Sequence, residues 1–119
     1  MARAEQLAFA ATRITTKDAQ TNALATATMA APGLGFRNYC TGIVISANST
    51  PAAAVISNLT DGAAIDLDFY IPDATFAAFV IPFSRPIECA ENAALALTLP
   101  ALGAAVTGGV AILGFVGSV

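Results

Sequence analysis

Ala64-Ile65-Asp66-Leu67-Asp68-Phe69-Tyr70-Ile71 alternates apolar and polar side chains without a break. Ile65, Leu67, Phe69 and Ile71 occupy every second position, with Asp66, Asp68 and Tyr70 between them. In an extended strand successive side chains point to opposite faces, so this segment has one apolar face and one wet face. A helix would scatter the same residues around its circumference. The segment therefore predicts a half-buried β-strand in a sheet that meets water on one side.

Working outward, turn chemistry closes this strand at both ends. Thr60-Asp61-Gly62 precedes it as a hairpin-type signal and Pro72-Asp73 follows it. Upstream, Asn22–Met29 reads as a first strand, Pro32-Gly33-Leu34-Gly35 as a turn, and Phe36–Ser46 as a strong second strand. Ala47–Pro51 breaks the pattern and Ala52–Ser57 resumes it. Downstream, Thr75–Ile81 is apolar on both faces, which predicts cover on both sides. Pro82 and Pro86 bracket an expected loop, and Ile87-Glu88-Cys89 follows as a short strand. Ala93–Leu99 and Val106–Val116 complete about eight short strands at regular spacing. An all-β, single-domain sandwich or barrel follows. No segment between strands has the period of a crossover helix, which argues against an α/β fold.

Residues 1–20 differ from the rest and are read as an N-terminal arm, with the β-sandwich domain over 21–119. They hold Arg3, Arg13 and Lys17, three of the five basic residues, together with Leu7 and Phe9. A short helix or an extended arm would both fit this segment. No secretory signal peptide is apparent, so the chain is expected to act without export.

After Glu91 no charged residue occurs, a run long enough to raise the question of a membrane span. Pro100 and five glycines interrupt it, and Leu95, Leu97 and Leu99 alternate at the period of a strand. Two buried strands and a turn are the expected structure, with no membrane role.

Composition then bounds the function. Of 119 residues 56% are hydrophobic and 11% charged. Alanine supplies 28 of the apolar residues, leaving 39 larger ones against 13 charges. Monomer surfaces usually carry roughly 25–35% charged residues, so part of this surface is expected to lie against other subunits or a partner. The net charge is −3 and basic residues are not clustered in the body, which excludes a phosphate-neutralising nucleic-acid surface.

Catalytic chemistry is expected to be absent. There is no histidine, no activated thiol and no phosphate loop; Gly108-Gly109 lacks the lysine such a loop needs. No cofactor or metal is expected either. Cys40 and Cys89 fit no zinc spacing; a single disulfide would fit them, but two small buried thiols are the commoner arrangement. Asp61, Asp66, Asp68 and Asp73 straddle one strand and its turns, and are read as turn formers and a solvated face rather than a calcium site.

Three stretches carry a resemblance to small proteins encoded beside phage structural genes. They are Met29-Ala30-Ala31-Pro32-Gly33-Leu34-Gly35-Phe36-Arg37-Asn38-Tyr39-Cys40-Thr41-Gly42-Ile43, then Pro82–Ile87 with Glu91–Leu95, and the closing Gly114-Phe115. Over residues 20–119 the sequence resembles the jelly-roll cement or decoration proteins of tailed-phage capsids. Cys40 departs from the group, where an aliphatic residue such as valine is usual. The resemblance implies a homotrimer on the outer surface of the virion, assembled in the host cytoplasm. Such a trimer would clamp neighbouring copies of the major capsid protein. The N-terminal arm, with Arg3, Leu7, Phe9, Arg13 and Lys17, is expected to contact the capsid. The other expectation is a receptor- or glycan-binding module of a head or tail fibre, against which the absence of tryptophan counts.

Overall fold

The computed structural model describes residues 13–119. The chain runs β1 (Arg13–Thr21), β2 (Ala25–Met29), β3 (Phe36–Ala47), β4 (Val55–Thr60), β5 (Asp66–Ile71), β6 (Ala78–Glu88), β7 (Leu95–Leu99) and β8 (Thr107–Ser118). The strands form two four-stranded antiparallel sheets, β1-β8-β3-β6 and β2-β7-β4-β5. The pairs β1–β8, β2–β7, β3–β6 and β4–β5 are those of one long hairpin whose tip is the Asp61–Ile65 turn. Folding that hairpin across itself sends its strand pairs alternately to the two sheets, and the result is a jelly-roll β-sandwich.

Alternation within each strand builds the core. Ile43, Ile45, Val110 and Ile112 from the first sheet meet Leu59, Leu95, Leu97 and Leu99 from the second, all buried. Each such aliphatic side chain contributes about 1.5–3 kcal/mol by leaving water. Ala25 and Ala27 are equally buried, and their small size lets β2 lie close beneath β1 and β8. The uncharged C-terminal run becomes β7 and β8 as expected, with β7 burying all three leucines. No helix among the described residues is long and apolar enough to cross a membrane.

The buried side chains of Asn38 and Ser57 donate hydrogen bonds that tie separate elements together. Asn38 is fully buried and its amide donates to the carbonyls of Ala30 and Ala93, both at 3.1 Å, and to that of Met29 at 3.5 Å. One side chain thus ties the end of β2 and the β6–β7 loop to β3. Ser57 donates to the Thr98 carbonyl at 2.6 Å and locks β4 to β7.

Four sequence expectations are corrected. Residues 13–20 are not an arm separate from the sandwich: they are most of β1, paired with β8 along its whole length. The first expected strand begins later, at Ala25, because Asn22 turns the chain between sheets with a positive φ of 52°. Thr75–Ile81 is not covered on both sides, since β6 is an edge strand and Val80 is 68% exposed. Pro82 and Pro86 do not bracket a loop but lie within β6, which continues to Glu88.

The prolines fit because of the phase of the ladder. Ala77 accepts from Ala47 N–H and Cys89 donates to Asn38 on either side of β6, so odd-numbered residues face β3. Pro82 and Pro86 are even-numbered, and their missing N–H groups would have pointed to the open edge, where they cost no ladder bond. Opposite them a bulge at Cys40/Gly42 lets β3 rejoin the register.

Candidate functional site

The surfaces that the described residues offer are the two outer faces of the sandwich and its edges. The four acidic residues weighed from the sequence do not converge. Asp61 is turned inward and accepts from the N–H groups of Ala63, Ile65 and Ala90, each at 2.8 Å. Asp66 and Asp68 share the amide of Asn58, at 2.7 and 2.9 Å. No group of three His, Cys, Asp or Glu residues placed to hold a metal ion occurs among the described residues.

Asp61 is a structural clasp. Burial pushes its pKa up, but the surrounding backbone N–H groups more than offset this and hold the carboxyl below its ordinary value of 3.8. A depressed folded pKa stabilises above the unfolded value and is lost as pH falls through the folded one. We expect stability measured by thermal melting to be flat above about pH 5 and to fall below pH 4. Asp61→Asn should flatten that acid limb while lowering stability at neutral pH.

Cys40 and Cys89 are free and buried. Desolvation raises both thiols, Cys89 to about 12, with Asp61 and Cys40 adding to the rise at Cys89. Thiolates are the reactive species, so neither should react with iodoacetamide at pH 8 in the folded protein, and both should react in denaturant.

The outer face of the β1-β8-β3-β6 sheet is the first candidate surface. Strand registers align Lys17, Ala111, Val44 and Val80 in one row across it, and Ala19, Gly109, Ser46 and Ala78 in the next. The small residues at its centre leave a shallow hollow of about 440 Å³ floored by Gly109 and Ala111. Charge is confined to the margins: Arg13 and Lys17 on β1, and the Arg37–Glu88 pair at 3.5 Å near the opposite edge. Tyr39 and Phe115 stack on the same face, centroids 4.9 Å apart and 8° from parallel. Sequence reasoning missed this face because Val80 sits in Thr75–Ile81, which reads as covered on both sides, and Leu113 in a run that reads as buried strands. The glycines of β8 were the available signal, since a strand built with small residues admits close approach.

The outer face of the other sheet is the second. It presents Thr26, Thr98, Asn58 and Asp68 in one row, and Tyr70, 78% exposed, beside Ile56. It is polar apart from Ile56, as the alternation in 64–71 leads one to expect. Between the edges β5 and β6 runs an apolar trough of about 440 Å³ whose lining includes Ile45, Phe69, Phe79 and Ile81.

Of the five residues expected to contact a partner, Arg3, Leu7 and Phe9 lie outside the described residues. Arg13 and Lys17 are brought together on the outer face of β1, two rows apart and both exposed.

No family model matches this sequence, and no curated protein matches it. Among solved structures, the chain is similar to the Podospora anserina GH26-CBM35 β-(1,4)-mannanase, at 8% identity and a TM-score of 0.45. That match covers 87% of this chain but only 28% of the mannanase. It is also similar to a CBM4 carbohydrate-binding module, at 11% identity and TM-score 0.39, covering 92% of this chain and 96% of that one. A virus-like particle of the Macrobrachium rosenbergii extra small virus gives 16% identity and TM-score 0.30, over 86% of this chain and 77% of that one. At these values the likenesses carry no argument about function.

Proposed function

We propose that this protein is a structural virion subunit, a capsid cement or decoration protein that binds the outer surface of a phage head. In this reading it is a homotrimer, is not an enzyme, and stabilises contacts between copies of the major capsid protein. The observation that supports it is the outer face of the β1-β8-β3-β6 sheet, where Val80 is 68% and Leu113 38% exposed and charge is pushed to the margins. A subunit that acts by burying area needs such a face, and three weak attachments acting together give a trimer its hold.

The test is occupancy. Mass spectrometry of purified virions should find the protein, and virions lacking it should lose heat resistance. Val80→Glu and Leu113→Glu, both on exposed side chains, should fold normally yet leave the capsid. Absence from virions, or full occupancy by both variants, would sink the reading.

A second reading rests on the other face. Tyr70 stands exposed beside Asp68 and Asn58, an aromatic plane next to hydrogen-bonding groups, as a receptor- or glycan-binding module requires. Glycan-array binding that disappears in Tyr70→Ala would favour it over capsid attachment.

A further inference from the structure

A sandwich of two open sheets has four edges, and three of them are blunted. On β6, Pro82 and Pro86 remove the N–H groups that would face outward. On β2, the outward N–H of Thr26 is taken by the Asp18 carboxylate at 3.0 Å. On β5, Asp61 N–H donates to the Ile65 carbonyl, so the odd-numbered residues face β4 and the free edge belongs to Asp66, Asp68 and Tyr70. Two carboxylates there repel an incoming carbonyl row.

The β1 edge carries the charges of Arg13 and Lys17, but it has no proline, and no described side chain takes its outward N–H groups. Its phase is set by Asn22 N–H donating to the Val106 carbonyl at 3.1 Å, which continues the β1–β8 register and assigns even-numbered residues to β8. The Thr21 and Thr107 hydroxyls, 2.7 Å apart, agree: side chains come closest at pairs that do not exchange backbone bonds. The backbone groups of Arg13, Thr15, Lys17, Ala19 and Thr21 therefore point away from the sheet. All five residues are exposed, and no described residue pairs with that edge.

We propose that the β1 edge is a strand-addition site for an extended acidic segment of another protein. Backbone pairing with Thr15, Lys17 and Ala19 would supply the register. Arg13 and Lys17 lie four residues apart on the outer face, so they select two carboxylates at the same spacing in the added strand. Leu24, 58% exposed just past the end of β1, offers an apolar anchor beyond the last pair. A second copy of this chain is a poor occupant. Every long antiparallel β1–β1 register brings Lys17 of one copy beside Lys17 or Arg13 of the other, directly or on the diagonal. The inference does not depend on the capsid reading, and it stands or falls separately from virion occupancy.

The probe is a synthetic strand-forming peptide of alternating Val and Thr with two Glu four positions apart, and its counterpart with Lys in place of Glu. In the full-length protein, amide exchange at Thr15, Lys17 and Ala19 should be fast when free. It should slow by on the order of tenfold with the Glu peptide, while Thr16 and Asp18, already in the ladder, do not change. The Lys peptide should have no effect. Thr15→Pro removes an outward donor without touching the β1–β8 ladder and should weaken binding roughly tenfold. Lys17→Glu should lose the Glu peptide and gain the Lys peptide, and added salt should weaken both interactions. The inference is overturned by equal binding of both peptides, by protection on β5 or β6 instead, by a dimer in sedimentation that uses this edge, or by no protection at all.

Discussion

Gly114→Ala is expected to destabilise the fold by about 3 kcal/mol or more, a large part of a small domain's stability. Gly114 pairs with Cys40 at the bulge in β3. A Cβ there would collide with the Tyr39 carbonyl oxygen, with the Met29 Cε and Sδ atoms at 3.1 Å behind it. The methionine side chain is flexible, but the carbonyl is held in the β3 strand, so relief requires the central pair of the sheet to part. Gly117→Ala is the control. Its Cβ would meet the Tyr39 ring edge at 2.6 Å on the outer face, and a ring can swing aside. Its cost should be about 1 kcal/mol, with loss of the Tyr39–Phe115 stack. Urea midpoints for the two variants check the difference; similar midpoints would show that the bulge is not rigid.

Asn38→Ala is expected to cost about 1–3 kcal/mol by removing the buried donor that the part-buried carbonyls of Ala30 and Ala93 share. Leucine fills the same volume but restores no donor, so Asn38→Leu should recover little. Asn38→Asp should be worse still at neutral pH, because a carboxylate would face carbonyl oxygens in a site closed to water. It should regain stability in acid, as the protonated carboxyl becomes a donor. Thermal melting across pH separates the three variants, and an Asp variant as stable as wild type at neutral pH would refute the account. The Asn38 Oδ1 atom has no partner of its own, so the residue is kept for what it donates.

Both residues show where sequence reading stops. Asn38 lies in Arg37-Asn38-Tyr39-Cys40, where nothing local separates it from a solvent-facing residue. Its burial follows from two other segments, the end of β2 and the β6–β7 loop, that deliver carbonyls to one point. Gly114 was visible as one of many glycines in an apolar run, but the carbonyl beneath it comes from β3, far upstream. By contrast Asp61 was legible as a turn former, and only the reach to Ala90 N–H, across to the β6–β7 loop, was hidden.

The sequence by itself determined the strand content. Alternation in 64–71 and in Leu95–Leu99, and the β-branched and aromatic content of Phe36–Ser46, are properties of neighbouring residues, and turn chemistry marks the breaks between them. It also determined the shortage of charge and the lack of histidine. What only the tertiary structure decided is which apolar faces meet a second layer and which are left outside. Thr75–Ile81 reads as doubly covered, yet β6 is an edge; residues 13–20 read as an arm, yet they are β1. A side-chain pattern states how many faces are apolar, but cover is set by pairing between strands distant in the chain. That pairing leaves the outward backbone groups of β1 without a partner among the described residues, beside a largely apolar sheet face.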